Sequence, residues 1–94
     1  FMQVFKFGGA SVKDADSVKN VAAILQKYGT TPTIVVISAM GKTTNTLEEL
    51  VKAYFYKEGN INSILNELKN FHFLITENLF GNEAASINNE IGEF

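Results

Sequence analysis

Phe5-Lys6-Phe7-Gly8-Gly9-Ala10-Ser11-Val12 ends a strand and opens a helix. The stretch closes an apolar run, Met2 to Phe7, broken only by Gln3 and by Lys6 near its end. Two glycines and a serine follow, and a helical pattern begins beyond them. Strand, glycine turn and helix together present backbone N–H groups and a positive helix end to a phosphate. Lys6 falls at the carboxyl end of the strand, where open α/β sheets bind their ligands. A lysine there supplies a compact charge that can follow a transferring phosphoryl group. The same residues also fit a plainer description. A Gly-Gly pair is a common tight turn, and one lysine at a strand end is an ordinary solvated edge residue.

Outward from this stretch the chain reads as strand, helix, strand. Met2 to Phe7 is apolar enough to be a parallel strand covered on both faces. Asp14, Asp16 and Ser17 offer helix caps and first-turn acids. Val18, Val21, Ala22 and Leu25 recur at helical spacing, Lys27 complements the helix dipole, and Gly29 is expected as a left-handed cap. Thr30-Thr31-Pro32 turns the chain into Thr33 to Ile37, β-branched almost throughout and hence expected to be a central, buried strand. The handedness of such βαβ units makes the two strands parallel.

The second strand runs into Ser38-Ala39-Met40-Gly41-Lys42-Thr43-Thr44-Asn45. Small and hydroxyl residues at a strand's carboxyl end make a second ligand-facing loop, on the same side of the sheet as Gly8-Gly9. Gly41-Lys42-Thr43 matches the tail of a P-loop, but the position of that motif's first glycine holds Val36, inside the strand. Thr43, Thr44 or Asn45 can cap the helix that carries Leu47, Leu50, Val51 and Tyr54. Capping and ligand binding are compatible there, because a helix N-terminus suits a carboxylate.

Beyond Tyr54 the pattern is helical, with Gly59-Asn60 as a break and Gly81-Asn82 expected as a C-cap and the next N-cap. Ile61, Ile64, Leu65, Leu68, His72, Ile75 and Leu79 keep one face, and Ile87, Ile91 and Phe94 mark a last helix. His72, the single histidine, sits on that apolar stripe and reads as a packed residue. Tyr54, Phe55, Tyr56, Phe71 and Phe73 read as core rather than as a stacking platform.

Composition narrows the function classes. The 94 residues are 46% hydrophobic with eight Phe and three Tyr, unlike a disordered segment. Eight lysines, no arginine and ten acids give a net charge of -2, without the basic face of a nucleic-acid binder. No apolar run approaches the about 20 residues of a membrane helix, so no membrane partner is expected. The absence of cysteine excludes disulfides and thiolate metal sites. It is compatible with the cytoplasm, the expected compartment, without establishing it.

Lys6-Phe7-Gly8-Gly9-Ala10-Ser11-Val12 closely resembles the opening signature of the aspartate kinases, a branch of the amino acid kinase family. Val35-Val36-Ile37-Ser38-Ala39-Met40-Gly41 with Thr44-Asn45 resembles their second block, in the right order. The resemblance is close from Gln3 to about Leu50 and generic beyond. It implies the N-terminal part of a three-layer α/β/α amino acid kinase (carbamate kinase-like) fold, with residues 1–94 a single partial domain. It also implies transfer of the γ-phosphoryl group of ATP, with Mg²⁺, to the side-chain carboxylate of L-aspartate, the first step toward lysine, threonine and methionine. Lys6 would contact the transferring group as the catalytic residue, with Gly8, Gly9 and Ser11 lining the phosphates. Ser38, Ala39 and Thr44 would line the aspartate pocket. No protein metal ligand is recognised.

Two departures accompany the resemblance. Ala10 stands where the family's usual wording has Thr, removing one hydroxyl and weakening phosphate contacts. Catalytic domains of the family are several times longer, and their adenine pocket, substrate-binding acid and arginine lie downstream. The expectation is therefore an N-terminal fragment, inactive alone and prone to self-associate. Two other classes stay open: a non-catalytic phosphate- or nucleotide-binding module, and a helical interaction module using the stripe from Ile61 to Leu79.

Overall fold

The computed structural model describes residues 2–94, in two compact units, Phe1–Lys42 and Thr43–Phe94. In the first, β1 (Gln3–Phe7) leads through a single 3-10 turn, Gly9–Val12, into α1 (Ala15–Tyr28) and then β2 (Thr33–Ile37). The strands pair in parallel, with Gln3 opposite Thr33 and Phe7 opposite Ile37. The expected parallel α/β unit is present. Its start is pinned by side chains as well as backbone. The Gln3 amide donates to the Tyr28 carbonyl and to Thr33 Oγ1 (3.1 Å), and Thr33 donates to the Thr31 carbonyl (2.7 Å).

The core of this unit is Phe7, Val12 and Val21, each no more than 7% exposed. Phe5, Val18, Ile24, Leu25 and Met40 pack around them. Burial of each large apolar side chain contributes about 1.5–3 kcal/mol. β1 alternates: Gln3, Phe5 and Phe7 are covered to differing degrees, while Val4 and Lys6 are exposed. It is therefore not buried on both faces as its apolar run suggested. β2 departs further, for Ile34 to Ile37 are 39–55% exposed and none belongs to the buried cluster. Its β-branched composition reports a fitness for central burial; burial itself requires layers on both faces. Among the described residues β2 has one strand neighbour.

Asp14 is the cap of α1, its Oδ1 accepting from the Ser17 N–H (2.8 Å). Gly29 ends the helix by donating to the Leu25 carbonyl (2.8 Å), at φ -88 rather than in the expected left-handed region. Space explains the glycine instead, since a Cβ there would stand 2.5 Å from the Leu25 oxygen. The bonds from Ser17, hydroxyl first and amide second, hold the Asp14 carboxyl below the ordinary carboxylate range, and Lys13 adds to this. A lowered pKa means the cap stabilises above the unfolded-state value and is lost as pH falls through the folded one. The expected result is an Asp14 carbon-13 titration midpoint below that of the unfolded chain. A midpoint at or above that value contradicts the capping contact.

The second unit is helical: α2 (Thr43–Tyr56), α3 (Ile61–Phe80), a 3-10 turn (Gly81–Glu83) and α4 (Ala84–Glu93). Thr43, Thr44 and Asn45 form the first turn of α2. α2 carries two apolar stripes. The one through Thr43, Leu50 and Ala53 is the covered one, whereas Leu47, Val51, Tyr54, Phe55 and Tyr56 are 43–76% exposed. The aromatic trio is thus not core, because a helix meeting one neighbour covers one stripe. Asn60 caps α3 through the Ser63 N–H (3.1 Å). Gly81 ends α3, but Asn82 lies inside the 3-10 turn and Glu83 precedes α4. The α3 stripe is centred on buried Ile75, with Ile64, Leu65, Leu68 and Leu79 half-buried. Buried Thr76 bonds the Phe73 carbonyl (2.9 Å) and the side chain of Asn88 on α4. Phe94, expected on the last apolar face, is fully exposed.

Candidate functional site

Parallel pairing sends both strands out at the same sheet edge, so the segments after Phe7 and Ile37 emerge side by side. The ladder continues one step further, with the Ser38 N–H donating to the Phe7 carbonyl (2.9 Å). Past that point the two loops touch directly. The Gly41 N–H donates to the Gly9 carbonyl (3.3 Å), and Met40 packs on the Phe7–Val12–Val21 cluster. Gly41 takes φ +57, a left-handed conformation that favours glycine.

Six of the seven candidate residues lie in this first unit. Lys6 is exposed on the outward face of β1, next to the buried Phe7. Gly8 is extended (φ -74, ψ 175) and opens the 3-10 turn, with no side chain capping it. Ser11 N–H donates to the Gly8 carbonyl (3.0 Å), leaving its exposed hydroxyl outside the turn's backbone bonding. Lys6 and Ser11 line one open depression of about 660 Å³, together with Lys13, Asp16 and Asn20. Ser38 and Ala39 are exposed on the second loop. Thr44 belongs to the second unit, exposed in the first turn of α2, where it borders a shallow depression with Leu47, Glu48 and Val51.

Local folding alters one element of the phosphate expectation. The glycine turn does not feed α1 directly, and the N-terminus of α1 is occupied by the Asp14 carboxylate. The uncapped turn at Gly8 takes its place beside Lys6 and Ser11. Lys13 and Asn20 were missed by sequence reading. Lys13 lies immediately past the motif, and Asn20, on α1, reaches the same depression only through the fold.

The remaining candidates carry less chemistry. His72 Nδ1 lies 2.9 Å from the Leu68 carbonyl one helical turn back, and the ring meets Phe71 edge-on. Among the described residues no group of three or more His, Cys, Asp or Glu is placed to hold a metal ion. No described helix is long and apolar enough to cross a membrane.

The two parallel strands end side by side in a lysine-glycine turn and a small-residue loop, at the end of the sheet where open α/β folds bind their ligands. The model of the amino acid kinase family matches residues 2–92. The chain belongs to that family. It is similar to chloroplastic aspartokinase 2 of Arabidopsis thaliana, 39% identical over 87 residues, which cover 89% of this chain and 16% of that protein. It is also similar to aspartokinase 2 of Bacillus subtilis (strain 168), 46% identical over 52 residues, covering 53% of this chain and 13% of that protein. A chloroplastic bifunctional aspartokinase/homoserine dehydrogenase 1 of Arabidopsis thaliana is 30% identical over 84 residues, 88% of this chain and 9% of that protein. The chain thus spans a small part of the length of each of these relatives. No solved structure matches it at comparable strength.

Proposed function

We propose that this chain supplies the phosphate-facing corner of an aspartate kinase, which transfers the γ-phosphoryl group of ATP to the side-chain carboxylate of L-aspartate. Residues 1–94 form one part of the kinase domain, acting in amino-acid biosynthesis. Lys6 draws charge from the transferring group, while Gly8, Gly9 and Ser11 line the phosphates. Ser38 and Ala39 line the acceptor side, and Thr44 adds a hydroxyl for the aspartate carboxylate. The observation that carries this role is the joining of two loops at one sheet edge: exposed Lys6 and Gly8 on one, exposed Ser38 and Ala39 on the other, linked by the Gly41–Gly9 hydrogen bond. Phosphoryl transfer needs such positioning and charge neutralisation more than a covalent nucleophile. The aspartokinase names of the relatives support aspartate as the acceptor.

The test is trapping of the acyl phosphate with hydroxylamine by the complete protein that carries this chain. ATP-dependent hydroxamate should form with L-aspartate and not with L-glutamate. Hydroxamate from another amino acid alone, or none at all, contradicts the assignment.

Thr44→Val should raise the KM for aspartate about tenfold or more, the loss expected when a buried charged partner loses one hydrogen bond. The KM for ATP should move less. An equal or larger change for ATP places Thr44 on the nucleotide instead.

A further inference from the structure

The two glycines of the turn meet different surroundings. A Cβ on Gly8 would meet nothing within 4 Å, and its φ of -74 suits any residue. A Cβ on Gly9 would stand 2.9 Å from the Gly41 carbonyl oxygen and 3.3 Å from that of Ala39. Both obstacles are backbone, so no side chain can swing aside to relieve them. Gly9 is not among the glycines at positive φ, so space and not backbone strain excludes a side chain there. The half-buried Gly9 also accepts the Gly41 N–H, making the contact two-sided.

We propose that Gly9 is a positioning residue that clasps the Ser38–Gly41 loop against the phosphate-side turn, and that Gly8 keeps open the space a ligand enters. This division of labour rests on the aspartate kinase role proposed above. Within that role Gly9 acts on the acceptor through the second loop, although it lies in the phosphate motif. Any side chain at Gly9 displaces the carbonyls of Ala39 and Gly41, and with them the neighbouring Ser38. The left-handed Gly41 and the packed Met40 leave that loop few other paths. A Cβ at Gly8 meets no described atom within 4 Å, so it competes with what occupies the corner.

The experiment compares Gly8→Ala and Gly9→Ala in the complete protein that carries this chain. It measures the KM values for ATP and aspartate and the ¹⁵N–¹H resonances of Ala39 and Gly41. Gly9→Ala should raise the aspartate KM at least tenfold, more than the ATP KM, and shift both resonances. Gly8→Ala should raise the ATP KM and leave both in place. Unmoved resonances in Gly9→Ala, or a rise confined to the ATP KM, overturn the clasp. If the wild-type protein does not phosphorylate aspartate, the functional role fails, and the resonances still decide the clasp. Should Gly9→Ala not fold, hydrogen exchange of the wild-type Gly41 amide decides instead. Exchange at least tenfold slower than in an unstructured peptide supports the contact, and exchange at the unstructured rate overturns it.

Discussion

Lys6→Ala in the complete protein is expected to lower kcat about a hundred- to a thousandfold, with smaller changes in either KM. That corresponds to about 2.7–4 kcal/mol of transition-state stabilisation. The motive is local. Lys6 stands exposed near the end of β1, bordering the depression that Ser11 also lines, two residues before the uncapped turn at Gly8. A charge that follows the moving phosphoryl group acts more strongly on the transition state than on bound ATP, so kcat carries the loss. Lys6→Met keeps the aliphatic stem and should fall as far as Lys6→Ala, separating charge from packing. Steady-state kinetics with kcat unchanged in both variants would remove Lys6 from the transfer step.

The second large effect concerns residues 1–94 expressed alone, which should show no aspartate kinase activity and should self-associate at micromolar concentration. Inactivity follows from how little orients a phosphoryl donor here. Two lysines, a short turn and an open depression stand without an acid cluster among the described residues. Self-association follows from β2. Its five residues carry no charge and no proline, four of them are 39–55% exposed, and one edge is unpaired among the described residues. Such an edge is a template for a strand from another copy. Sedimentation velocity should give a species larger than 10.4 kDa whose share grows with concentration. A monomer across that range contradicts the edge-pairing account. Ile34→Lys and Val36→Lys, placing charges along β2, should shift the distribution toward monomer.

Much of the first unit was legible because its signals are local. Thr33–Ile37 is the strand its β-branched run marks, and Asp14 caps α1 where short-range bonding demands, as Gly81 ends α3 in the second unit. Parallel pairing followed from the chirality of the crossover, which brought the two loops to one edge. Burial was less legible, because it depends on what lies against a surface. The run Ile34 to Ile37 and the trio Tyr54 to Tyr56 have the composition of core and the exposure of surface. Finer still is the Gly9–Gly41 approach. The sequence shows two glycines in a turn, but only the path of the second loop reveals which of them is crowded. The 3-10 turn was equally hidden, since Gly9–Val12 and Ala15–Tyr28 form one continuous helical pattern until Asp14 interrupts it with an extended backbone.

The central assignment, that the lysine-glycine turn faces the phosphates and the neighbouring loop faces the acceptor, is tested most directly by a crystal structure of the complete protein. The crystals would hold a non-hydrolysable ATP analogue and L-aspartate together. The account predicts Lys6 Nζ about 2.7–2.9 Å from an oxygen of the γ-phosphoryl group, with the phosphates over Gly8 and Ser11. Ser38 and Thr44 should contact the aspartate. Phosphates bound elsewhere, with Lys6 directed to solvent, would contradict it.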